Sequence, residues 1–140
     1  MLTKEQLIAI DKLRGCIHAA QQFVNKTFNA HHLDILFLIS LQKGITRKQI
    51  NEALAPQALT TTKRYVGDLT KYAFDRDRDN KQRLPGFDLI YEEENEFDSK
   101  TKHLFLNERG EKLCGVLANR VLSELPTLND RKYENSNQDS

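Results

Sequence analysis

The sequence predicts a mainly α-helical domain with one small β-hairpin, an α+β fold. Two observations support this class. Apolar residues recur at three- and four-residue steps through five stretches of the chain, which is the period of an amphipathic helix. One later stretch alternates apolar and polar residues, as a half-buried strand does. The chain has 140 residues, a length typical of one domain, and we expect that domain to span residues 1–125.

Capping residues predict where the first two helices begin. Thr3 and Gln6 form a capping box, and the helix that follows is expected over about residues 4–27. Asn29 is the expected cap of a second helix. The run from Leu33 to Leu41 is apolar on almost every side, which predicts that this helix is central and buried.

Two shorter helices are predicted next, with tight breaks between them. Thr46 and Gln49 repeat the capping box, and the third helix is expected to end near Leu54, before Pro56. A fourth helix is expected over about Thr60–Tyr72. Short helices joined in this way are typical of a helix-turn-helix core.

Strand signals and a final helix follow. Residues 75–86 are polar and rich in turn formers, so we expect an exposed loop. The alternation from Phe87 to Glu92 and the apolar stretch 103–106 predict a hairpin with a long tip. Asn107 is the expected cap of the last helix, whose apolar face continues to Leu125.

The net charge is small but unevenly distributed. The chain carries 21 Lys and Arg against 20 Asp and Glu, a formal charge of +1, which excludes a polycation that binds any nucleic acid. Residues 1–86 carry a charge of +6, whereas residues 87–106 carry −4. The polar segment 126–140 is expected to be a disordered tail. A basic region therefore lies beside an acidic patch.

The sequence indicates a cytoplasmic protein with no membrane partner. No apolar run approaches the ~20 residues of a membrane span. The N-terminal residues lack the basic-then-apolar pattern of a signal peptide. Two cysteines, Cys16 and Cys114, make neither a disulfide framework nor a zinc site.

The order of these elements and the residues around the hairpin resemble the MarR (multiple antibiotic resistance regulator) family. Residues 98–113 resemble the wing of that family and the exit from it, through Asp98 and the turn Leu106-Asn107-x-x-Gly110. Residues 60–69 look like its recognition helix. The resemblance implies a winged helix-turn-helix with N- and C-terminal dimerisation helices, over about residues 4–125.

Three departures from the family pattern concern the wing. Ser99 and Lys100 stand where the family has two arginines, the second of which usually enters the minor groove. Residues 75–86 are an insertion between the recognition helix and the wing. Five acidic residues lie on the wing, where phosphates would repel them: Glu92, Glu93, Glu94, Glu96 and Asp98.

The start of the fourth helix has the residue types that bind DNA. Hydroxyls bind phosphates, whereas Arg and Lys bind guanine edges. The alternative explanation of these residues is ordinary helix capping and solvated charge. Basic residues at the start of the third helix are expected to contact phosphates, and Lys100 is a weaker wing contact. The predicted DNA-binding residues are Thr60, Thr61, Lys63, Arg64, Arg47, Lys48, Gln57 and Lys100.

The cations of the 75–86 loop have two explanations. They either replace the weakened wing as a contact with the DNA backbone, or solubilise a loop whose aspartates cancel their charge. These cations are Arg76, Arg78, Lys81 and Arg83.

Together these features predict a sequence-specific, double-stranded DNA-binding transcription regulator that acts as a homodimer. The first and last helices are too apolar for the exterior of a monomer, although packing within one subunit is an alternative. An alternative function is a winged-helix interaction module whose acidic wing docks a transcription or replication protein. No nucleophile elbow, phosphate-binding glycine loop or zinc-protease pair is present, so neither an enzyme nor a cofactor is expected.

Three further features concern redox chemistry, metal binding and effector binding. A thiol-sensing branch of the resembled family has a cysteine in its N-terminal helix, which makes Cys16 a candidate redox residue; a small buried hydrophobe is the alternative. His31 and His32 point in different directions on a helix, so no metal site is expected. The family often binds a small-molecule effector between its dimer helices and its DNA-binding lobe, so the resemblance implies such a partner.

Overall fold

A computed structural model of the chain describes residues 1–54, 59–98 and 100–123. Pro56, Gln57, Ser99, Leu125 and the predicted tail 126–140 lie outside the described residues. The elements in chain order are α1 (Lys4–Phe23), α2 (Ala30–Leu41), β1 (Ile45–Thr46), α3 (Arg47–Ala53), α4 (Leu59–Leu69), β2 (Tyr72–Arg76), β3 (Arg83–Pro85), β4 (Ile90–Glu94), β5 (Lys102–Leu106) and α5 (Glu108–Leu122). No helix among the described residues is long and apolar enough to cross a membrane.

The predicted helix starts are confirmed where a cap was named. The Thr3 hydroxyl oxygen accepts from the Gln6 N–H at 3.1 Å, and the Gln6 side chain accepts from the Thr3 N–H at 2.8 Å. The same reciprocal box opens α3 at Thr46. At α5 the Asn107 side chain accepts from the Gly110 N–H at 2.8 Å. Each cap satisfies backbone donors that have no partner in the first helical turn.

The end of α1 differs from the prediction: it ends at Phe23 and not near residue 27. The Asn25 side-chain oxygen accepts from the Thr27 N–H at 2.9 Å, and the Asn25 carbonyl accepts from the Phe28 N–H at 3.0 Å. Asn competes with a helix by bonding to its own backbone, so this turn replaces the last helical turn.

The predicted hairpin is confirmed as β4 and β5. Together with β1, these strands form a three-stranded antiparallel sheet in the order β1-β5-β4. The first strand begins at Ile90, not at Phe87, because residues 87–89 bond to the end of α4. The Phe87 and Leu89 N–H groups donate to Asp68 and Leu69 carbonyls, both at 2.8 Å. As a result Leu89 and Ile90 are both buried, which interrupts the expected alternation.

The expectation of a loop over 75–86 is wrong in part, because β2 and β3 form a second antiparallel hairpin there. The fourth helix ends at Leu69, and Tyr72, which was predicted to end it, begins β2. Most of the polar residues that predicted a loop form the turn between β2 and β3. In this turn the Asp77 carboxylate accepts from the Asp79 N–H at 2.8 Å, and Lys81 has a φ of 62°. Such a turn reverses the chain and lets the flanking strands pair.

The core lies between α2 and the sheet, with α4 and α5 against it. Leu36, Ile39, Ile50, Leu104 and Leu113 are all fully buried there. The predicted burial of α2 is confirmed on its inner side, whereas its outer side is open to solvent. This core holds α4 against the sheet and leaves the opposite surface of α4 exposed.

The Gly110 of the family-like turn has a steric role. A Cβ there would overlap the Leu89 carbonyl oxygen, so glycine lets the first turn of α5 lie against residues 87–89. The Arg109 side chain fixes the same junction, since it donates to the carbonyls of Phe87 and Phe23.

Candidate nucleic-acid interface

One side of α4 is fixed to α3 and the other side is exposed. Thr62 is fully buried, and its hydroxyl donates to the Asn51 side chain at 2.7 Å. Val66 and Leu69 continue the buried side into the core. The exposed side carries the four predicted DNA-binding residues of this helix, Thr60, Thr61, Lys63 and Arg64. The helix therefore presents hydroxyls and cations on a rigid support.

His32 fixes α4 from the side of α2. Its Nδ1 accepts from the Asn29 N–H at 3.1 Å and completes the cap of α2. Nε2 then carries the proton and donates to the Asp68 carboxylate on α4, at 3.0 Å. Aromatic rings of Phe28, Tyr65 and Phe87 surround the imidazole. Burial lowers the pKa of His32, and this effect outweighs the opposing hydrogen bond and charge of Asp68.

Sequence reasoning considered His32 only as a metal ligand and missed this role. A signal for it existed, because His32 lies three residues after Asn29, where Gln or Glu completes other capping boxes. No group of three His, Cys, Asp or Glu side chains that could hold a metal ion occurs in the described part of the chain.

Arg47, predicted to contact phosphate, forms an ion pair with a wing residue. Its Nη2 bonds to Glu92 Oε1 on β4, and Lys102 Nζ on β5 lies 3.7 Å from Glu92 Oε2. The Glu92 side chain is only 17% exposed, unlike the exposed Glu93 and Glu94 of the same strand. Glu92 is thus separated from the rest of the acidic wing and shared between two cations.

The tip of the wing is a tight turn that Asp98 holds together. Its carboxylate accepts from the Thr101 hydroxyl at 2.7 Å and from the Lys100 N–H at 3.0 Å. These hydrogen bonds lower the pKa of Asp98. The Lys100 side chain is exposed at this turn, so it is accessible where the resembled family places a wing contact.

The predicted residues line two separate depressions of the exposed surface. Thr60, Thr61 and Arg64 line one shallow depression together with Tyr65. Arg47, on α3, and Lys63, on α4, line the second, an open cleft of about 640 Å³ between α4 and the two hairpins. Its other lining residues are Gly67, Arg76, Arg83, Glu92 and Lys102. Sequence reasoning named four of the five cations among the described lining residues but did not bring them together, and it missed the placement of Glu92 and Lys102.

Cys16 lies on α1, half-buried against α5, with its thiol 3.8 Å from the Leu117 carbonyl oxygen. Burial raises the pKa of Cys114, on α5, to about 11, which disfavours its thiolate. The redox role of Cys16 stays a prediction.

Helices α3 and α4, together with the β4–β5 hairpin that pairs with β1, define a winged helix-turn-helix. The sequence matches no protein-family model and none of the curated proteins.

Solved structures share this architecture along most of the chain. A single-residue variant of S. aureus MepR bound to an oligodeoxyribonucleotide is 17% identical, with a TM-score of 0.57, and the match covers 99% of this chain and 94% of that chain. A second S. aureus MepR variant is also 17% identical, with a TM-score of 0.55 over 94% of this chain and 88% of that chain. A MarR transcriptional regulator from Methanosarcina mazei Go1 is 15% identical, with a TM-score of 0.45 over 91% of this chain and 86% of that chain. The two MepR matches show that this chain has a MarR-like winged-helix fold.

Proposed function

We propose that this protein regulates transcription by binding duplex DNA, with α4 as the element that reads base pairs. The observation that carries the proposal is the exposed face of α4, a helix that Thr62 holds against α3 and that His32 holds near its C-terminal end. A rigid helix with hydroxyls and cations on its open face fits the major groove, where hydroxyls bind phosphates and Arg binds guanine edges. One structural neighbour, the MepR variant, was solved with an oligodeoxyribonucleotide, which supports the same class of ligand.

We further propose that the protein acts as a homodimer through α1 and α5. These helices contact each other within the subunit, where Lys12 Nζ donates to the Ser123 carbonyl at 2.7 Å. Their outer faces nevertheless leave large apolar side chains 47–76% exposed, which is costly for a monomer: Ile10, Leu13, Ile17, Val121 and Leu122. A two-fold axis there would present two copies of α4 to successive major grooves, about 34 Å apart. The small-molecule effector implied by the resemblance stays a prediction.

Selection of bound sequences from random duplex DNA tests this function. The proposal expects an enriched site with two similar half-sites in inverted order, about one helical turn apart. Binding of the selected duplex should weaken steeply with added salt, because phosphate contacts release counterions. A chain that binds no duplex even at low ionic strength would refute the proposal.

One observation favours the second candidate, the interaction module. Phe97 at the wing tip is 96% exposed and lies between Glu96 and Asp98. An exposed aromatic ring among carboxylates fits a basic, partly apolar surface on another protein. If duplex binding is absent, a complex with a transcription or replication protein that Phe97→Ser abolishes would establish this function instead.

A further inference from the structure

The cleft between α4 and the two hairpins concentrates positive charge. Arg47 comes from α3, Lys63 from α4, Arg76 and Arg83 from β2 and β3, and Lys102 from β5. Glu92 is the one acidic residue among the described lining residues, so it neutralises only part of this charge. We propose that this cleft binds one backbone phosphate of the duplex, and that Glu92 takes the place of that phosphate in the free protein. The inference rests on the proposed function, because it needs the duplex as ligand.

The second hairpin is built in a way that stability alone does not favour. Arg76 and Arg83 lie directly opposite each other in the antiparallel register. Like charges in directly opposed positions destabilise a strand pair. An anion between the strands and α4 would remove that repulsion. Anion binding therefore explains why two arginines occupy these opposed positions.

Both arginines are held in place before any ligand arrives. Arg83 Nε donates to the Ala73 carbonyl at 2.8 Å, and Arg76 Nη1 donates to the Lys81 carbonyl at 3.0 Å. Each bond uses one donor of a guanidinium group that has several. Fixing the side chains in advance lowers the conformational entropy lost when a phosphate binds.

Glu92 is arranged as an exchangeable counter-ion. It bonds to Arg47 and lies near Lys102, so its carboxylate occupies a position between two cations. The Nε of Arg47 is nevertheless buried without an acceptor among the described residues. An unsatisfied buried donor is costly, so the pairing with Glu92 leaves Arg47 incompletely bonded. A phosphate offers more acceptor oxygens than a carboxylate and can replace it.

The position of the cleft indicates that the bound anion is a backbone phosphate of the duplex. The cleft is open to solvent and lies between Lys63 on the exposed surface of α4 and Lys102 on the wing. A DNA strand that leaves the groove read by α4 toward the wing would cross it. Inorganic phosphate has the same chemistry, so the experiment includes it as a separate ligand.

The test is a fluorescence anisotropy titration of labelled duplex at several salt concentrations. Arg83→Gln should weaken binding to specific and non-specific duplexes alike and reduce the slope of log K against log salt by about one. Lys26→Gln is the charge-matched control, since Lys26 is exposed in the turn after α1 and does not line the cleft. Equal effects of the two variants would overturn the proposal.

A second pair of variants keeps the proposal testable if Arg83→Gln disturbs the hairpin. Glu92→Gln should tighten duplex binding more than Glu94→Gln, because both remove one charge from β4 but only Glu92 lies in the cleft. Equal tightening, or none with Glu92→Gln, would overturn the exchange of Glu92 for phosphate.

The remaining outcomes separate this inference from the proposed function. If Arg64→Ala weakens specific binding while the Arg83 and Glu92 variants behave as their controls, α4 reads DNA and the cleft proposal is wrong. If no variant and no wild-type protein binds duplex, both are wrong. Inorganic phosphate should compete only weakly with duplex. Arg83→Gln could also abolish the binding of inorganic phosphate to the cleft and leave the duplex affinity unchanged. That result would overturn the inference.

Discussion

The Nε2 of His32 lies 3.0 Å from Oδ2 of Asp68, which joins the first turn of α2 to the last turns of α4. The same imidazole closes the cap of α2 through Nδ1. One neutral side chain therefore links the start of the central helix to the helix that presents the candidate interface. Protonation of Nδ1 would remove the acceptor of the Asn29 N–H, so this link depends on pH.

The free energy of unfolding should fall as the pH falls below about 6.5. Because burial lowers the pKa of His32 in the folded state, the unfolded chain takes up this proton first, near the ordinary value of 6.5. Stability from the neutral ring is full above that pH and is lost as the pH drops toward the folded pKa. Urea denaturation at pH 7.5 and at lower pH measures the loss.

His32→Gln and His31→Gln provide the comparison for this prediction. Gln can accept from the Asn29 N–H but does not titrate, so His32→Gln should reduce the loss of stability between these pH values. His31 is exposed and stacks on Tyr65, and its charge is only the smallest of the causes that act on the pKa of His32, so His31→Gln should change the pH dependence less than His32→Gln does. An identical pH dependence in wild type and His32→Gln would assign the effect to other groups.

Gly110→Ala should destabilise the fold by about 1–3 kcal/mol. Its Cβ would overlap the Leu89 carbonyl oxygen, and neither the backbone of 87–89 nor the start of α5 can move without losing the contacts that Arg109 makes. Gly115→Ala is the control on the same helix, where a Cβ would meet no atom of another element within 4 Å. It should stabilise α5 by roughly 0.5–1 kcal/mol. Urea denaturation of both variants separates steric overlap from helix propensity, and equal stabilities would contradict the prediction.

Thr62→Val should cost about 1–3 kcal/mol, because it leaves the Asn51 side chain without a buried donor. Since this bond fixes α4 on α3, the variant should also weaken duplex binding. Thr61→Val, at the exposed neighbour, should leave the free energy of unfolding within about 0.5 kcal/mol of wild type. If the Thr62 variant is as stable as the Thr61 variant, the hydrogen bond does not hold the two helices together.

Leu13→Lys should convert a dimer into monomers. Leu13 is 61% exposed on the outer face of α1, and a charge there cannot be buried in an interface without a partner. Analytical ultracentrifugation at micromolar concentration measures the change in mass. Phe97→Ser removes an even more exposed apolar side chain, on the wing, and should leave the mass unchanged. A wild-type monomer at that concentration would refute the dimer.

Local signals predicted most helix starts, because a cap depends on residues three positions apart. Thr3, Thr46 and Asn107 were all identified in this way. The second hairpin was missed because its turn, around Asp77, is as polar as a loop, while the pairing of β2 with β3 cannot be seen in either strand alone. The end of α4 was placed too late for the same reason, since Tyr72 belongs to β2.

The candidate interface was predictable only in its residue types. Hydroxyls and cations at the start of α4 indicate DNA binding from sequence, and their exposure agrees with that. The pairing of Arg47 with Glu92 depends on tertiary packing across 45 positions of the chain, so no local pattern could reveal it. The cleft depends on the same packing, because its cations come from different elements.

The affinity of Arg64→Ala for a selected duplex, relative to a scrambled one, tests the reading of DNA by α4 most directly. If Arg64 contacts a base edge, as proposed, the variant loses about 1–3 kcal/mol on the selected duplex and much less on the scrambled one. Lys26→Ala, which removes an exposed cation from the turn after α1, should weaken both only slightly. Unchanged discrimination between the two duplexes in Arg64→Ala would contradict the account.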